Sequence, residues 1–266
     1  MYETTYHRAT SVADAAAKIA GSEDGKILSG GMTLLPTMKQ RLAAPSDLVD
    51  VTHVADLKGI TETGGGLRIG AATTHAEVAG SPSVRRLAPG LAELAGHIGD
   101  PHVRHRGTIG GSIANNDPAA DYPSAMLALG ATIVTDKRRL AAEEFFTGLF
   151  ETALEEGEIV TAVEIPACAA CAYAKYPNPA SRYAMAGVFV ARTEDGVRVA
   201  VTGAGAGGVF RHEGLEQALS QSFTPEAAAA VTTDADDLIS DIHGSAEYRA
   251  NLVAVMAKRA VQKLNG

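Results

Sequence analysis

What this chain has little of narrows its task before any motif is read. Its 266 residues hold two cysteines, Cys168 and Cys171. A cysteine-ligated iron–sulfur cluster asks for four thiolates, so the chain cannot hold one by itself. Cys168-Ala169-Ala170-Cys171 has the spacing of a redox pair or half a zinc site. No second pair or histidine partner follows and no βαβ pattern frames it, so it reads as two inert small side chains. No stretch approaches 18 consecutive apolar residues, and Met1-Tyr2-Glu3-Thr4-Thr5-Tyr6-His7 lacks the basic head and apolar run of a signal peptide. A soluble, cytoplasmic protein is therefore expected. Positive charge is short as well: 23 Lys and Arg stand against 31 Asp and Glu, a formal charge of −8. That argues against nucleic-acid binding as the main task, which needs a basic face. No G-x-S-x-G elbow occurs and no acid, base or nucleophile constellation forms, so no catalytic residue is assigned.

What is there is ordinary globular material, 46% hydrophobic and 20% charged, long enough for one large domain or two smaller ones. Glycine carries the positive signal. From Gly107 to Tyr122 three glycines surround a threonine and a serine, and two asparagines and two aspartates follow. Such a stretch predicts a loop with positive φ that approaches a ligand closely and gathers N–H groups into one space, suiting a phosphate without any lysine. Asp117 and Asp121 would repel a phosphate and suit the neutral hydroxyls of a ribityl chain or ribose. A second candidate lies upstream. The strand Lys26–Ser29 runs into Gly30-Gly31-Met32-Thr33, and Leu34 to Leu42 is expected as a helix, with Pro36 tolerated in its first turn.

Around these motifs, Ser11 caps a helix over Val12–Ala20, and Leu48–Val51 and Gly66–Gly70 read as strands. Pro82–Ile98 is mostly helical with a break at Pro89-Gly90. A short helix over Pro123–Gly130, a strand over Ala131–Thr135, a helix from Glu143 and a strand over Glu158–Ile165 follow. Pro166 closes that strand, and a domain boundary is expected there. Next comes a hairpin, Gly187–Arg192 and Val197–Val201, turning at Asp195-Gly196. Gly203–Gly208 fits G-x-G-x-x-G, but it follows an antiparallel hairpin and no βαβ unit, so a plain glycine turn before a helix over Glu213–Leu219 is expected. Thr224-Pro225 and Ser245 start two closing helices, the last running to about Leu264 with Tyr248, Leu252, Val255 and Met256 on one face. His97, His102 and His105 invite a metal, yet Pro101 breaks any helix that would align them, and none is assigned.

Taken together, Leu28-Ser29-Gly30-Gly31-Met32-Thr33-Leu34, then Thr108-Ile109-Gly110-Gly111-Ser112 and Asp117-Pro118-Ala119-Ala120-Asp121 resemble the FAD-binding medium subunit of the molybdenum hydroxylases, the family of xanthine dehydrogenase and aerobic carbon monoxide dehydrogenase. The likeness extends to Glu158–Pro166, Gly203-Ala204-Gly205 and Ser245-Ala246-Glu247-Tyr248-Arg249, essentially the whole chain. It implies an α+β protein. Residues 1–166 would form an FAD domain of the vanillyl-alcohol-oxidase (PCMH) type, with subdomains of about 1–52 and 53–166, and residues 167–266 a C-terminal α/β domain of the carbon monoxide dehydrogenase flavoprotein type. The resemblance further implies that both glycine motifs approach the FAD pyrophosphate and that Asp121 holds ribityl hydroxyls. Val160 and Lys175 would lie along the isoalloxazine edge, Tyr183 would stack on the ring, and Val103 would add a contact. Met32 stands where the carbon monoxide dehydrogenase subunit has a histidine, and Pro177-Asn178-Pro179 replaces a basic stretch before Tyr183. The implied partners are a large molybdopterin subunit and a small [2Fe-2S] subunit, assembled as a dimer of heterotrimers. The implied task is to pass electrons from the iron–sulfur subunit to an external acceptor. A stand-alone FAD oxidoreductase of the same fold, or a flavin-less binding protein, is the alternative.

Overall fold

The computed structural model describes residues 1–266. Strands β1 (Thr5–Arg8), β2 (Gly25–Leu28) and β3 (Asp47–Asp50) form a parallel sheet in the order β1-β3-β2. Parallel neighbours need crossovers, and α1 (Val12–Ala20) and α2 (Leu34–Lys39) supply them. The Ser11 hydroxyl caps α1 by accepting the N–H of Asp14. Helix α2 stops at Lys39 rather than Leu42, because Arg41 turns left-handed at φ 62°. Ala15, Val49, Val51, Val54, Leu57 and Ile159 make the small core beneath this layer.

The second sheet is antiparallel, in the order β4-β5-β10-β6-β7, from β4 (Ile60–Thr63), β5 (Gly66–Gly70), β6 (Thr132–Thr135), β7 (Arg139–Ala141) and β10 (Val160–Pro166). Between β5 and β6 run six short helices, α3 (His75–Gly80), α4 (Pro82–Leu87), α5 (Pro89–Gly96), α6 (Pro101–Arg104), α7 (Ile109–Asn115) and α8 (Tyr122–Ala128). Pro101 opens α6 instead of breaking a helix: it takes the first position, where no intrahelical N–H is needed, and Asp100 caps it by accepting the N–H of Val103. Helix α9 (Ala142–Phe145) and a small hairpin, β8 (Phe146–Gly148) and β9 (Glu151–Thr152), lead back to β10.

The expectation for Gly107–Tyr122 needs correcting. Gly110 and Gly111 lie inside α7 and do not adopt positive φ; within this stretch only Asn116, at φ 42°, is left-handed. Packing is what demands glycine here. A Cβ at position 110 would stand 2.5 Å from the Cβ of Ala71 and 2.7 Å from its carbonyl oxygen.

A third sheet, β11 (Cys171–Pro177), β12 (Ala184–Thr193), β13 (Gly196–Thr202) and β14 (Phe210–Arg211), is antiparallel in that order. Both of its faces are covered. Tyr173, Phe189, Ala191 and Ala200 join the 31-residue core of the second sheet and its helices. Ala172, Val188, Val190, Val199 and Val201 face α10 (Glu213–Gln221), α11 (Pro225–Ala229) and α12 (Ala246–Asn265). The apolar core therefore runs unbroken past Pro166. Along α12, Leu252 and Met256 are buried, Val255 is half-buried and Tyr248 is exposed. The buried Arg249 ties the helix to the sheet, donating to the carbonyls of Met185 and Gly203 at 2.7 and 2.8 Å. In the hairpin Thr193 pairs with Gly196, so the loop is Glu194-Asp195 and Gly196, at φ 118°, opens the return strand. Gly203, at φ 79°, leaves β13 against the carbonyl of Ala184, and no βαβ unit forms around it. No helix is long and apolar enough to cross a membrane.

Candidate cofactor site

The two glycine motifs meet. The Ser29 and Thr108 hydroxyls, 79 residues apart in sequence, are 2.9 Å from one another. A Cβ at Gly30 would fall 2.2 Å from the carbonyl oxygen of Arg106 and 2.6 Å from the Cα of Gly107, so only glycine lets the two segments touch. Beside this contact opens a cavity of about 760 Å³, within the range usual for small-molecule and cofactor sites.

Its polar lining is divided unevenly between the motifs. The turn after β2 is shaped by Gly31 at φ 70°, and the N–H groups of Gly30, Gly31, Met32 and Thr33 donate to nothing else in the chain. Four unspent donors on one tight turn, at the start of a helix, make a concavity for an anion. Helix α7 spends its first donors internally: Ile109 N–H goes to Thr73 O at 3.1 Å, Gly110 N–H to Ala71 O at 2.9 Å, and Ser112 N–H to Thr108 O at 3.0 Å. Gly111 N–H goes to the capping hydroxyl of Thr108 at 3.2 Å. The second motif thus offers side-chain hydroxyls rather than N–H groups; Ser112 lines the wall, and its hydroxyl bonds to no other residue.

The carboxylates of Asp117 and Asp121 line the same cavity. Asp121 is 5% exposed. Its Oδ1 accepts the Tyr173 hydroxyl at 2.5 Å and the Lys175 ammonium at 2.9 Å, while Oδ2 accepts Lys175 at 3.1 Å. Burial pushes this carboxyl up, against the pull of Lys175 and Tyr173. Asp117 accepts the N–H of Ala119 at 2.8 Å and is also pushed up by burial. Glu158, a buried residue of the lining, is held at about 2 by the Arg138 guanidinium, with help from Glu155 N–H and the Thr135 hydroxyl.

Of the eighteen residues singled out from the sequence, Leu28 through Leu34, Val103, Thr108, Gly110, Gly111, Ser112, Asp117, Asp121, Val160 and Tyr183 all line this cavity. Two do not. Ile109 points into the core, fully buried. Lys175, 4% exposed at its side chain, stands behind Asp121 and does not reach the wall, because the carboxylate holds its ammonium.

The wall also holds residues the sequence did not mark. His75, buried in α3, has an Nδ1 with no partner, its ring 5.3 Å from that of Tyr122. Burial, with the Arg104 charge, lowers it to about 4, so the imidazole is neutral. Ser181 and Arg182 flank Tyr183. Nothing in the spacing of these residues signals their convergence. No group of three or more His, Cys, Asp or Glu side chains gathers anywhere as a metal site.

This lining suits a ligand with an anion for the turn at Gly30–Thr33 and hydroxyls for Asp117 and Asp121. Comparison with known proteins shows the family. Residues 2–168 match the family model described as FAD binding domain in molybdopterin dehydrogenase, and residues 172–264 match the CO dehydrogenase flavoprotein C-terminal domain. The nicotine 6-hydroxylase medium subunit of Paenarthrobacter nicotinovorans is 38% identical, over 96% of this chain and 95% of that one. The carbon monoxide dehydrogenase medium chain of Hydrogenophaga pseudoflava is 36% identical over the same shares. Among solved structures, a chain of quinoline 2-oxidoreductase from Pseudomonas putida 86 superposes with a TM-score of 0.89 at 30% identity, covering 98% of this chain and 96% of that one. With both family models matched in turn along the chain, and relatives of this identity matched end to end, the protein belongs to the FAD-binding medium subunits of the molybdenum hydroxylases: an oxidoreductase subunit whose cofactor is FAD.

Proposed function

We propose that this chain is the electron-transfer subunit of a heterotrimeric molybdenum hydroxylase. It receives electrons from a small [2Fe-2S] subunit, whose own source is a large molybdopterin subunit, and passes them to an external acceptor. Two such heterotrimers pair in the full assembly. The observation that carries the reading is the set of four unspent N–H donors at Gly30–Thr33, closed against the second motif through Ser29 and Thr108. Together with Ser112 they would hold the FAD diphosphate through uncharged dipoles. Asp117 and Asp121 would accept from ribityl hydroxyls, the Lys175 ammonium and Tyr173 hydroxyl fixing the second carboxylate in place. The apolar Val103 and Val160 and the half-exposed Tyr183 would border the ring and exclude water from it. FAD, when bound, exchanges electrons singly or in pairs. The chain's own residues bind, orient and shield; none is placed to act as acid, base or nucleophile.

With only two thiols, both buried, the chain offers no four-cysteine ligand set for a cluster, which is consistent with the cluster residing on a partner subunit. Purification of the native assembly tests the reading. The expected preparation contains this chain with one larger and one smaller subunit, molybdenum, iron and FAD, and its flavin band bleaches when the hydroxylation substrate is added. A chain that purifies alone with FAD and no metal would be a stand-alone oxidoreductase instead, and a chain without flavin would be a binding protein.

A further inference from the structure

Two cationic side chains line the cavity, Lys26 and Arg182. Lys26 pairs with Asp24 at 2.9 Å on the surface. Arg182 takes part in no ion pair, and its one side-chain hydrogen bond runs from Nη1 to the Gly99 carbonyl at 3.3 Å. Asp100 feels its charge and, ionised while it caps α6, offsets it only in part from outside an ion pair. Arg182 is also held where it stands by a strained backbone. It is left-handed at φ 63°, a conformation that costs a non-glycine residue of its kind free energy. The turn around it is braced from both sides. Arg182 N–H donates to Asn178 O at 2.8 Å, Asn178 N–H donates to Tyr183 O at 2.8 Å, and the Asn178 side-chain oxygen accepts from Ala180 and Ser181. Lys175 is in the opposite condition, its charge matched by Asp121 at 2.9 Å and sealed from the cavity.

We propose that Arg182, the cavity-lining cation outside any ion pair, supplies positive charge beside Tyr183 and raises the reduction potential of bound FAD, while Lys175 serves as the positioning partner of Asp121. The proposal rests on the FAD reading above. Two electrons and one proton convert the neutral oxidised ring to a reduced ring with one negative charge. The electrons come from the iron–sulfur partner and the proton from solvent. A nearby free cation favours the side of that equilibrium on which the negative charge exists, and a neutral ion pair does not.

The test is a redox titration of the full chain with FAD bound, using a reference dye, for wild type, R182Q and R182K. R182Q is expected to retain FAD and to lower the equilibrium constant for two-electron reduction about tenfold, which is about 30 mV for such a couple. R182K should recover most of the difference. Because the charge is exposed, raising the salt should lower the wild-type potential and leave R182Q nearly unmoved. Retained FAD with an unchanged potential overturns the proposal. So does loss of FAD by R182Q accompanied by loss of ADP binding, which would assign the guanidinium to the diphosphate. A wild-type chain that binds no FAD would instead overturn the underlying reading of the cavity.

Discussion

Gly30 is the residue at which the convergence of the two motifs can be broken by a single methyl group. In Gly30→Ala the new Cβ runs into the Arg106–Gly107 peptide unit, at 2.2, 2.6 and 2.8 Å from three of its backbone atoms. None of these can rotate away, so the turn must retreat by about 1.2 Å to reach the 3.4 Å at which ordinary contact begins. The φ of Gly30 is not positive, so alanine suffers no backbone penalty and the effect is steric. Overpacking of this kind costs about 1–3 kcal/mol of stability. The retreat also pulls the open N–H groups of Gly30–Thr33 off a bound diphosphate. One hydrogen bond to a charged group is worth about 1.5–3 kcal/mol, so FAD affinity should fall roughly 10- to 150-fold. The assay is quenching of flavin fluorescence on titration of the deflavinated protein, with a thermal melt alongside. Gly207→Ala, where nothing lies within 4 Å of the added Cβ and φ is not positive, is the control and should match wild type. A Gly30→Ala protein that is folded and binds FAD with wild-type affinity would refute the reasoning.

Three further perturbations separate the parts of the site. Thr108→Val removes both the cap on Gly111 N–H and the link to Ser29, and should cost about 0.5–2 kcal/mol in a urea titration; Thr108→Ser should restore it. Asp121→Asn strands the buried Lys175 ammonium without a counter-charge and should destabilise the fold by about 3–5 kcal/mol, whereas Tyr173→Phe leaves the ion pair in place and should cost about 1.5–3 kcal/mol. Glu158 is held at about 2, below its ordinary 4.5. Its folded value is the lower one, so its contribution, about 3 kcal/mol at most, is present in full above pH 4.5 and lost as pH falls toward 2. Glu158→Gln should therefore be less stable than wild type at pH 7, with the gap closing on acidification; a gap independent of pH would contradict that assignment.

Much of the scaffold was legible because local chemistry fixed it. Ser11 and Ser245 cap the helices they precede, the strand before Gly30-Gly31 ends at Leu28, and an alternating hairpin flanks Gly196. Strand β11 was less legible: it has no Asp-Gly turn beside it of the kind at Asp195-Gly196, and its Ala172, Ala174 and Lys175 are weak strand formers. Helix α7 was read as a loop because glycine, serine, threonine and asparagine are weak helix formers; its contact with Ala71, 39 residues earlier by number, overrides that preference. The same mistake misassigned the N–H donors, since Thr73 and Ala71 consume two of those expected for a phosphate. Within the site, residues contiguous with the motifs could be found, and those brought in by tertiary contact could not. His75 comes from the next helix over, and the pairing of Lys175 with Asp121 spans 54 positions.

The central claim is that one FAD sits in the cavity where the two motifs close on each other. It is tested most directly by releasing the flavin from the native assembly with acid and counting it against copies of this chain. The account predicts one FAD per chain in wild type and a clear deficit in Gly30→Ala. A native assembly that contains this chain and yields no FAD, or an undiminished yield from the folded variant, would contradict it.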